Sequence, residues 1–142
     1  MEKKEVSMAL ESYLEQIAEI QKEFGTVNSS VLAERMGCKR SSVTNALQKL
    51  AEKGLINYQS YHPVTLTKAG LNKIEELTNY HKMLADFFTK ILKLPEDFAQ
   101  EEACKLEHQA SKETIERMGL YTKFIKENPN IDFEKYILEK IS

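Results

Sequence analysis

The sequence has only two cysteines and five glycines among its 142 residues, and no apolar run approaches the length of a membrane span. A transmembrane helix needs about 20 consecutive apolar residues, so none is expected. The sequence also contains no glycine-rich phosphate loop, internal repeat or low-complexity tract. The first residues, Met-Glu-Lys-Lys-Glu, lack the apolar segment of a secretory signal. We therefore expect a cytoplasmic protein in which Cys38 and Cys104 are free thiols and not a disulfide.

The net charge is only −2, but the charges are unevenly distributed along the chain. Between Thr26 and Ile74, basic residues outnumber the two acidic residues, Glu34 and Glu52. The basic residues of this segment are Arg35, Lys39, Arg40, Lys49, Lys53, Lys68 and Lys73. From Glu75 onward the acidic residues are in excess. A basic segment within an acidic chain favours a surface that binds an anionic polymer.

The chain opens with a pattern typical of an amphipathic helix. Over residues 7–24, apolar residues recur at the i, i+3, i+4 spacing, and Gly25 follows as a stop signal. Glu11, Glu15 and Glu19 form a second row on this helix at i, i+4 and i+8. Such a row is commonly a solvated face, but neighbouring like charges repel. A bound cation would relieve that repulsion.

Two short helices are expected next. Asn28 or Ser29 can cap the first, which ends at Gly37. Ser41 or Ser42 can begin the second, which Gly54 closes 12 or 13 positions later. Two short helices joined by a tight, glycine-containing turn are typical of a helix-turn-helix.

The second of these helices carries small hydrogen-bonding groups and cations near its start and along its polar face. A recognition helix places such groups in the major groove, where they contact base edges and phosphates. We therefore predict DNA binding by this helix, with an ordinary solvated helix face as the alternative. The predicted DNA-binding residues are Lys39, Arg40, Ser41, Ser42, Thr44, Asn45, Gln48 and Lys49.

A β-hairpin is expected directly after the recognition helix. Residues 55–58 and 64–66 read as two strands joined by a turn at residues 59–63. A hairpin at this place makes a winged helix-turn-helix. Tyr61 and His62 would lie at the tip of the wing, near the DNA backbone.

The second half of the chain reads as helices only. Thr67 can cap a long helix through about Leu92, on which His81 falls. Further helices are expected over residues 95–109, from Ser111 with an interruption at Gly119, and after Asp132. The fold class is therefore mainly α, with a winged helix-turn-helix domain at residues 1–70 and an all-helical domain at 71–142. The helical half has more apolar stripes than a chain this short buries alone, so we expect a homodimer.

One spacing in the helical half indicates a metal site. If residues 95–109 are one helix, Cys104, Glu107 and His108 stand at i, i+3 and i+4 on the same face. A thiolate, a carboxylate and an imidazole together suit a divalent transition metal. The spacing also arises by chance, because cysteine is commonly a small buried apolar residue. Three ligands from one helix would leave coordination positions for other segments.

In this order, the parts resemble the diphtheria toxin repressor and manganese transport regulator family. The resemblance covers essentially the whole chain, in the short form that lacks a third, SH3-like domain. Leu-Glu-Ser-Tyr-Leu-Glu-Gln-Ile at residues 10–17 is similar to the family's opening helix, and Ser-Ser-Val-Thr at 41–44 is similar to its recognition helix. The resemblance implies a metal-activated transcriptional repressor whose dimer binds palindromic operators of metal-uptake genes.

The resemblance also implies a set of metal ligands. Glu107 and His108 match ligands shared across the family, and His81 matches a histidine that both branches use on the linking helix. Cys104 matches the thiolate of the iron branch, where the manganese branch has a glutamate. Glu15 matches a first-helix ligand of the manganese branch.

Other positions depart from the family's pattern. Ser12 stands where the iron branch has methionine and the manganese branch aspartate, and a hydroxyl is a poor ligand. The adjacent Glu11 could substitute, so it joins the predicted ligands. Ala85 and Gln100 replace a glutamate and a histidine of the iron branch's ancillary site, so we expect that site to be lost.

The donor types favour one metal over another. A thiolate is soft and favours Fe(II), Co(II), Ni(II) or Zn(II) over Mn(II). We expect Fe(II) to be the physiological corepressor, with Mn(II) as the alternative, and Co(II), Ni(II) or Zn(II) to bind in vitro.

Two other classes of protein are alternatives for this sequence. One is a winged-helix regulator that responds to a small organic ligand or to oxidation of Cys104. The other is a metalloenzyme with the same ligands. The sequence offers no nucleophile–base pair and no phosphate loop, so we expect no enzyme.

Overall fold

The computed structural model describes residues 6–59 and 61–141, which fall into two compact units divided between Glu75 and Glu76. Among these residues, every helix is too short or too polar to cross a membrane. The mainly α fold class with a small hairpin is confirmed. The elements are α1 (Met8–Phe24), α2 (Ser29–Met36), α3 (Arg40–Glu52), β1 (Ile56–Asn57), β2 (Thr65–Leu66), α4 (Lys68–Asp86), a π-helical segment (Phe87–Ile91), α5 (Glu96–Leu106), α6 (Lys112–Glu127) and α7 (Phe133–Ile141).

Helix α1 forms where the apolar spacing predicted it. Ser7 caps it by accepting a hydrogen bond from the Leu10 amide, 3.2 Å away, and Gly25 ends it in the left-handed conformation at φ 78°. Its buried stripe packs in the core of the first unit. Phe24, which the pattern placed on that stripe, is exposed instead, and the guanidinium of Arg35 lies 5.7 Å from its ring centre.

Helices α2 and α3 form the helix-turn-helix. The Asn28 side chain caps α2 by accepting from the Ser30 amide at 2.7 Å, and Gly37 ends α2 at φ 62°. The prediction that Ser41 or Ser42 begins α3 was wrong by one or two residues, because the first turn closes on the Lys39 carbonyl. The amides of residues 42 and 43 both donate to that carbonyl.

The wing follows α3, although its strands are shorter than predicted. Strands β1 and β2 are antiparallel, with Ile56 opposite Leu66 and Asn57 opposite Thr65. The Asn57 amide also donates to the Thr65 hydroxyl at 3.1 Å. A single bridge between Val27 and Val64 ties the hairpin to the segment before α2.

The start of α4 is packed closely against the end of α3 and the wing. The Thr67 hydroxyl donates to the Gly54 carbonyl at 2.6 Å and accepts from the Gly70 amide at 3.1 Å, which confirms Thr67 as the cap. A Cβ atom at Gly70 would lie 2.1 Å from the Leu55 carbonyl oxygen. Glycine is therefore required at this position by the close approach of two backbone segments.

We expect Gly70→Ala to destabilise the protein by about 1–3 kcal/mol, because the Leu55 carbonyl must move to admit the methyl group. Helix propensity alone would give the opposite sign, since alanine favours a helix interior over glycine by about 1 kcal/mol. Urea unfolding followed by circular dichroism measures the difference. Asn72→Ala, at an exposed position of the same helix, is the control. A Gly70→Ala protein at least as stable as wild type would contradict the packing.

The second unit has its own core around the end of α4, the π-helical segment, α5 and α6. The predicted helix through about Leu92 is confirmed as a continuous helical run to Ile91, but its last turns change from α to π geometry after Asp86. The Thr89 hydroxyl donates to the carbonyls of Ala85, at 2.9 Å, and Asp86, at 3.3 Å. The Leu92 amide reaches the carbonyl of Phe87, five residues back. A side chain that inserts into the backbone ladder in this way is a known cause of such a change.

The prediction that Gly119 interrupts the sixth helix was also wrong, because α6 runs without a break from Lys112 to Glu127. A Cβ atom at Gly119 would lie 3.3 Å from the Met83 sulfur. The glycine thus allows close packing of α6 on α4. The predicted caps Ser111 and Asp132 are confirmed by bonds from the amides of Thr114 and Lys135.

The end of the second unit leaves apolar side chains exposed. No residue of α7 among those described is buried, and α6 also presents an apolar face to solvent. The exposed large apolar residues of this region are Leu120, Tyr121, Phe124, Ile131, Tyr136, Leu138 and Ile141. Such a patch is a common sign of a protein–protein interface.

Candidate metal centre

Cys104, Glu107 and His108 lie at the end of α5, but not on one helix as predicted. The helix ends at Leu106, and Glu107 and His108 lie in the turn that follows. The Glu107 amide still donates to the Ala103 carbonyl at 2.9 Å, so Glu107 keeps the helical direction. Beyond it the Gln109 amide donates to Leu106, three residues back, which tightens the turn. His108 therefore lies in the turn and not on the face of the helix.

The carboxylate of Glu107 lies between two imidazoles. Its Oε2 atom is 2.8 Å from Nδ1 of His81 on α4, and its Oε1 atom is 3.3 Å from Nε2 of His108. Glu107 is buried, with 7% of its surface exposed. A buried carboxylate is costly unless it is paired, and here each of its oxygens has an imidazole partner. The sequence-predicted His81, Glu107 and His108 are thus brought together.

The thiol of Cys104 joins this group. Its Sγ atom is 3.8 Å from Nδ1 of His81, and one donor atom each from His81, Cys104 and Glu107 lie within 4.8 Å of one another. Ligands at about 2.0–2.3 Å from a metal are separated by about 3.0–3.6 Å from each other. Nδ1 of His81 lies 2.8 Å from Oε2 of Glu107, just below that range, and 3.8 Å from Sγ of Cys104, just above it. The donor types and spacing fit a divalent transition metal after small side-chain movements.

The first-helix candidates Glu11, Ser12 and Glu15 belong to the other unit. The Glu11 carboxylate is buried and lies 3.4 Å from the ammonium of Lys73 on α4, so its charge is already compensated within the first unit. The Ser12 hydroxyl donates to the Met8 carbonyl at 3.1 Å. Glu15 is half-buried on α1. Glu11 and Glu15 both remain predicted ligands, and only Glu15 is part of the function proposed for this protein.

Sequence reasoning missed one contact of this site. Gln100 was considered only as a replaced ligand, yet its Oε1 atom is 2.5 Å from Nε2 of His81. The signal was present in the sequence, since Gln100 precedes Cys104 by four residues and so lies on the same helix face. The position of His81 on another helix could not be deduced from that spacing.

The predicted DNA-binding residues of α3 lie on one solvent-facing side of the helix-turn-helix. Lys39, at the cap position, and Arg40, Ser41 and Ser42 of the first turn are exposed. Thr44 is half-buried and donates to the Arg40 carbonyl at 3.0 Å. The Arg40 guanidinium donates to the Ser30 hydroxyl of α2 at 2.9 Å, which orients this cation between the two helices. The exposed members are Lys39, Arg40, Ser41, Ser42, Asn45, Gln48 and Lys49.

The wing-tip residues Tyr61 and His62 are also exposed. Tyr61 has a positive φ of 67°, an uncommon conformation outside glycine, and its ring is fully solvent-accessible. The His62 amide donates to the Gln59 carbonyl at 3.1 Å and closes the turn. An exposed aromatic ring beside an imidazole at a hairpin tip suits contacts to a polyanion backbone.

A winged helix-turn-helix followed by a helical unit with an imidazole, thiol and carboxylate cluster defines a metal-dependent DNA-binding regulator. Sequence comparison identifies the family. Residues 5–64 match "Iron dependent repressor, N-terminal DNA binding domain", and residues 67–133 match "Iron dependent repressor, metal binding and dimerisation domain". The chain belongs to the diphtheria toxin repressor and manganese transport regulator family, and is a metal-dependent transcriptional repressor.

Individual relatives agree with this assignment. The chain is 37% identical to an uncharacterized HTH-type transcriptional regulator of Methanocaldococcus jannaschii, over 86% of this chain and 98% of the relative. It is 32% identical to the HTH-type transcriptional regulator MntR of Shouchella clausii, over 84% and 83%. A solved manganese-dependent transcriptional repressor in complex with manganese superposes with a TM-score of 0.67 at 30% identity. That match covers 81% of this chain and 53% of the solved chain, so this chain spans about half of its length.

Cobalt(II) substitution tests whether Cys104 is a ligand. We expect the Co(II)-loaded protein to show a thiolate-to-metal charge-transfer band in the near ultraviolet, and Cys104→Ser to abolish it. The matched control is Cys38→Ser, because Cys38 lies in the other unit, where its sulfur is 3.1 Å from the Tyr13 hydroxyl. A band that persists in Cys104→Ser and disappears in Cys38→Ser would show that the thiolate ligand is Cys38 of the first unit, and would contradict the proposed role of Cys104.

Proposed function

We propose that this repressor uses Fe(II) as corepressor, with Mn(II) as the alternative, and that its dimer binds palindromic operators of metal-uptake genes. The observation that carries the proposal is the buried Glu107 carboxylate held between His81 and His108, with the Cys104 thiol beside it. A repressor of chromosomal genes acts where the DNA is, which supports a cytoplasmic location. We propose that residues 1–70 form the DNA-binding domain and that residues 71–142 form the domain for metal binding and dimerisation.

The second unit supplies most of the proposed ligands. His81, Cys104, Glu107 and His108 would hold one ion or a close pair bridged by carboxylates, and a divalent cation there would supply positive charge to the buried carboxylate and draw thiolate and imidazole donors together. The thiolate favours Fe(II) over Mn(II), while the relatives named above include manganese regulators. Elemental analysis of protein loaded separately with each metal, paired with operator binding under each, decides between them.

The proposed link between metal and DNA is a ligand from the first unit. Glu15 lies on α1, whose buried face packs in the core that also holds α3. If Glu15 binds the same ion as the ligands of the second unit, the recognition helices of a dimer lose freedom before DNA binds. DNA then no longer has to select a rare arrangement of the two recognition helices, and the apparent affinity of the dimer for DNA rises. Coupling free energies of this kind are typically about 1–3 kcal/mol, or roughly 5–150-fold in affinity.

Operator binding should therefore depend on metal. In a fluorescence-anisotropy titration, we expect Fe(II) or Mn(II) to tighten operator binding by roughly 5–150-fold, and a chelator to reverse the effect. His108→Ala should abolish the metal response because it removes one of the two imidazoles beside Glu107. Gln109→Ala, at the exposed neighbouring position, should keep the response.

Operator affinity that a chelator leaves unchanged would contradict the expected dependence of DNA binding on metal. Circular dichroism of His108→Ala separates the two roles of this residue. A folded apo variant without metal response supports a ligand, whereas an unfolded variant would show that His108 is structural.

The DNA surface has its own test. Arg40→Ala should weaken operator binding and lower the slope of log affinity against log salt by about 1, because one phosphate-neutralising cation is lost. Arg117→Ala is the matched control, since Arg117 is exposed on α6 and bonds Glu113 at 2.8 Å. An unchanged salt dependence in Arg40→Ala would remove this residue from the interface.

A further inference from the structure

Gln100 links the proposed metal ligands to the start of α5. It lies one helical turn before Cys104 on α5, and its side chain reaches across to His81 on α4. Its Oε1 atom is 2.5 Å from Nε2 of His81, and its Nε2 atom donates to Oε1 of Glu96 at 2.9 Å. Two hydrogen bonds thus hold the amide between a carboxylate and an imidazole.

The contact with Glu96 sets the direction of the amide. An ionised carboxylate only accepts hydrogen bonds, so the amide nitrogen of Gln100 must face Glu96 and the amide oxygen must face His81. An amide oxygen also only accepts. Nε2 of His81 must therefore carry a hydrogen atom to donate to Gln100.

A cation binds an imidazole through one ring nitrogen, while the other ring nitrogen can donate its hydrogen to an acceptor. Because Nε2 of His81 donates to Gln100, Nδ1 is the ring nitrogen that is left for a cation. That nitrogen is the one 2.8 Å from the Glu107 carboxylate and 3.8 Å from the Cys104 sulfur. The ring nitrogen that can bind a cation is thus the one that faces the other donors.

We propose that Gln100, oriented by Glu96, is a positioning residue that fixes the ring orientation of His81 for metal binding, with Nδ1 toward the other donors. The inference rests on the proposed metal site and adds to it two residues that are not ligands. Histidine ligands commonly donate their other ring N–H to an oxygen acceptor, and loss of that acceptor typically costs about 10–100-fold in metal affinity. Here the acceptor is a neutral amide, and the Glu96–Gln100 pair occupies consecutive turns of one helix.

The apo protein gives the first test. Two-bond ¹⁵N–¹H spectra of the imidazoles show which ring nitrogens carry a hydrogen, and Cys104→Ser and His108→Ala spectra help to assign His81 by proximity. We expect Nε2 of His81 to carry a hydrogen in wild type, with a signal that is weakened by exchange with water in Gln100→Leu. A wild-type ring without a hydrogen on Nε2 would overturn the proposal.

Zinc(II), a diamagnetic probe, gives the second test. Competition titration should show Gln100→Leu binding Zn(II) about 10–100-fold more weakly than wild type. Gln100→Glu should keep at least wild-type affinity, because a carboxylate also accepts from Nε2–H. Glu101→Leu, at the exposed next position of α5, is the matched control and should bind as wild type does. In the zinc-loaded wild type, the His81 Nε2–H signal should persist while Nδ1 shows the metal-bound shift.

The outcomes separate this inference from the proposed function. Wild-type protein that binds no Zn(II) would overturn the metal site itself. Wild-type protein that binds Zn(II), with equal affinity in Gln100→Leu, would overturn only the role of Gln100. A zinc-loaded protein in which Gln100 binds the ion through its own oxygen, with the His81 Nε2–H signal lost, would also overturn it.

Discussion

The pairing of one buried carboxylate with two imidazoles organises the second unit of this protein. Glu107 is nearly excluded from solvent, and its two oxygens contact His81 from α4 and His108 from the turn after α5. A carboxylate in such a place requires compensation, because its desolvation costs several kcal/mol. Two imidazoles contact the carboxylate in the described structure, and a divalent cation held by the same side chains would compensate its charge. The residues around this carboxylate are therefore the ones we propose as metal ligands.

The two units of the chain have different roles in the proposed mechanism. The first unit supplies a preformed DNA surface, in which Asn28 caps α2, α2 and α3 pack in one core, and a bridge ties the segment before α2 to the wing. The second unit supplies the proposed ligands and an exposed apolar surface on α6 and α7 that suits dimerisation. In the proposed mechanism, a ligand on α1 such as Glu15 would let metal occupancy restrict the DNA-reading helices without altering their own fold. Regulation would then come from conformational freedom and not from the shape of the recognition helix.

Local signals in the sequence predicted the helix ends that depend on local chemistry, such as the cap at Asn28 and the stop at Gly37. Gly119 was misread as a break, because the glycine serves a contact with Met83, which is distant in sequence. The predicted ligands at positions 104, 107 and 108 rest on spacing and resemblance, and the helix that the spacing assumed ends before the last two. The contacts of Gln100 with His81 and of Glu11 with Lys73 join different helices, so no spacing within one helix could predict them.

The most direct measurement is anomalous scattering from crystals of the protein loaded with Mn(II) or Fe(II), with data collected at the absorption edge of the metal. The account predicts an anomalous peak bounded by His81 Nδ1, the Cys104 sulfur, the Glu107 carboxylate and His108, with the Glu15 carboxylate from the first unit at the same ion. A peak elsewhere, or a peak that Glu15 does not approach, would contradict the claim that one ion couples metal sensing to DNA reading.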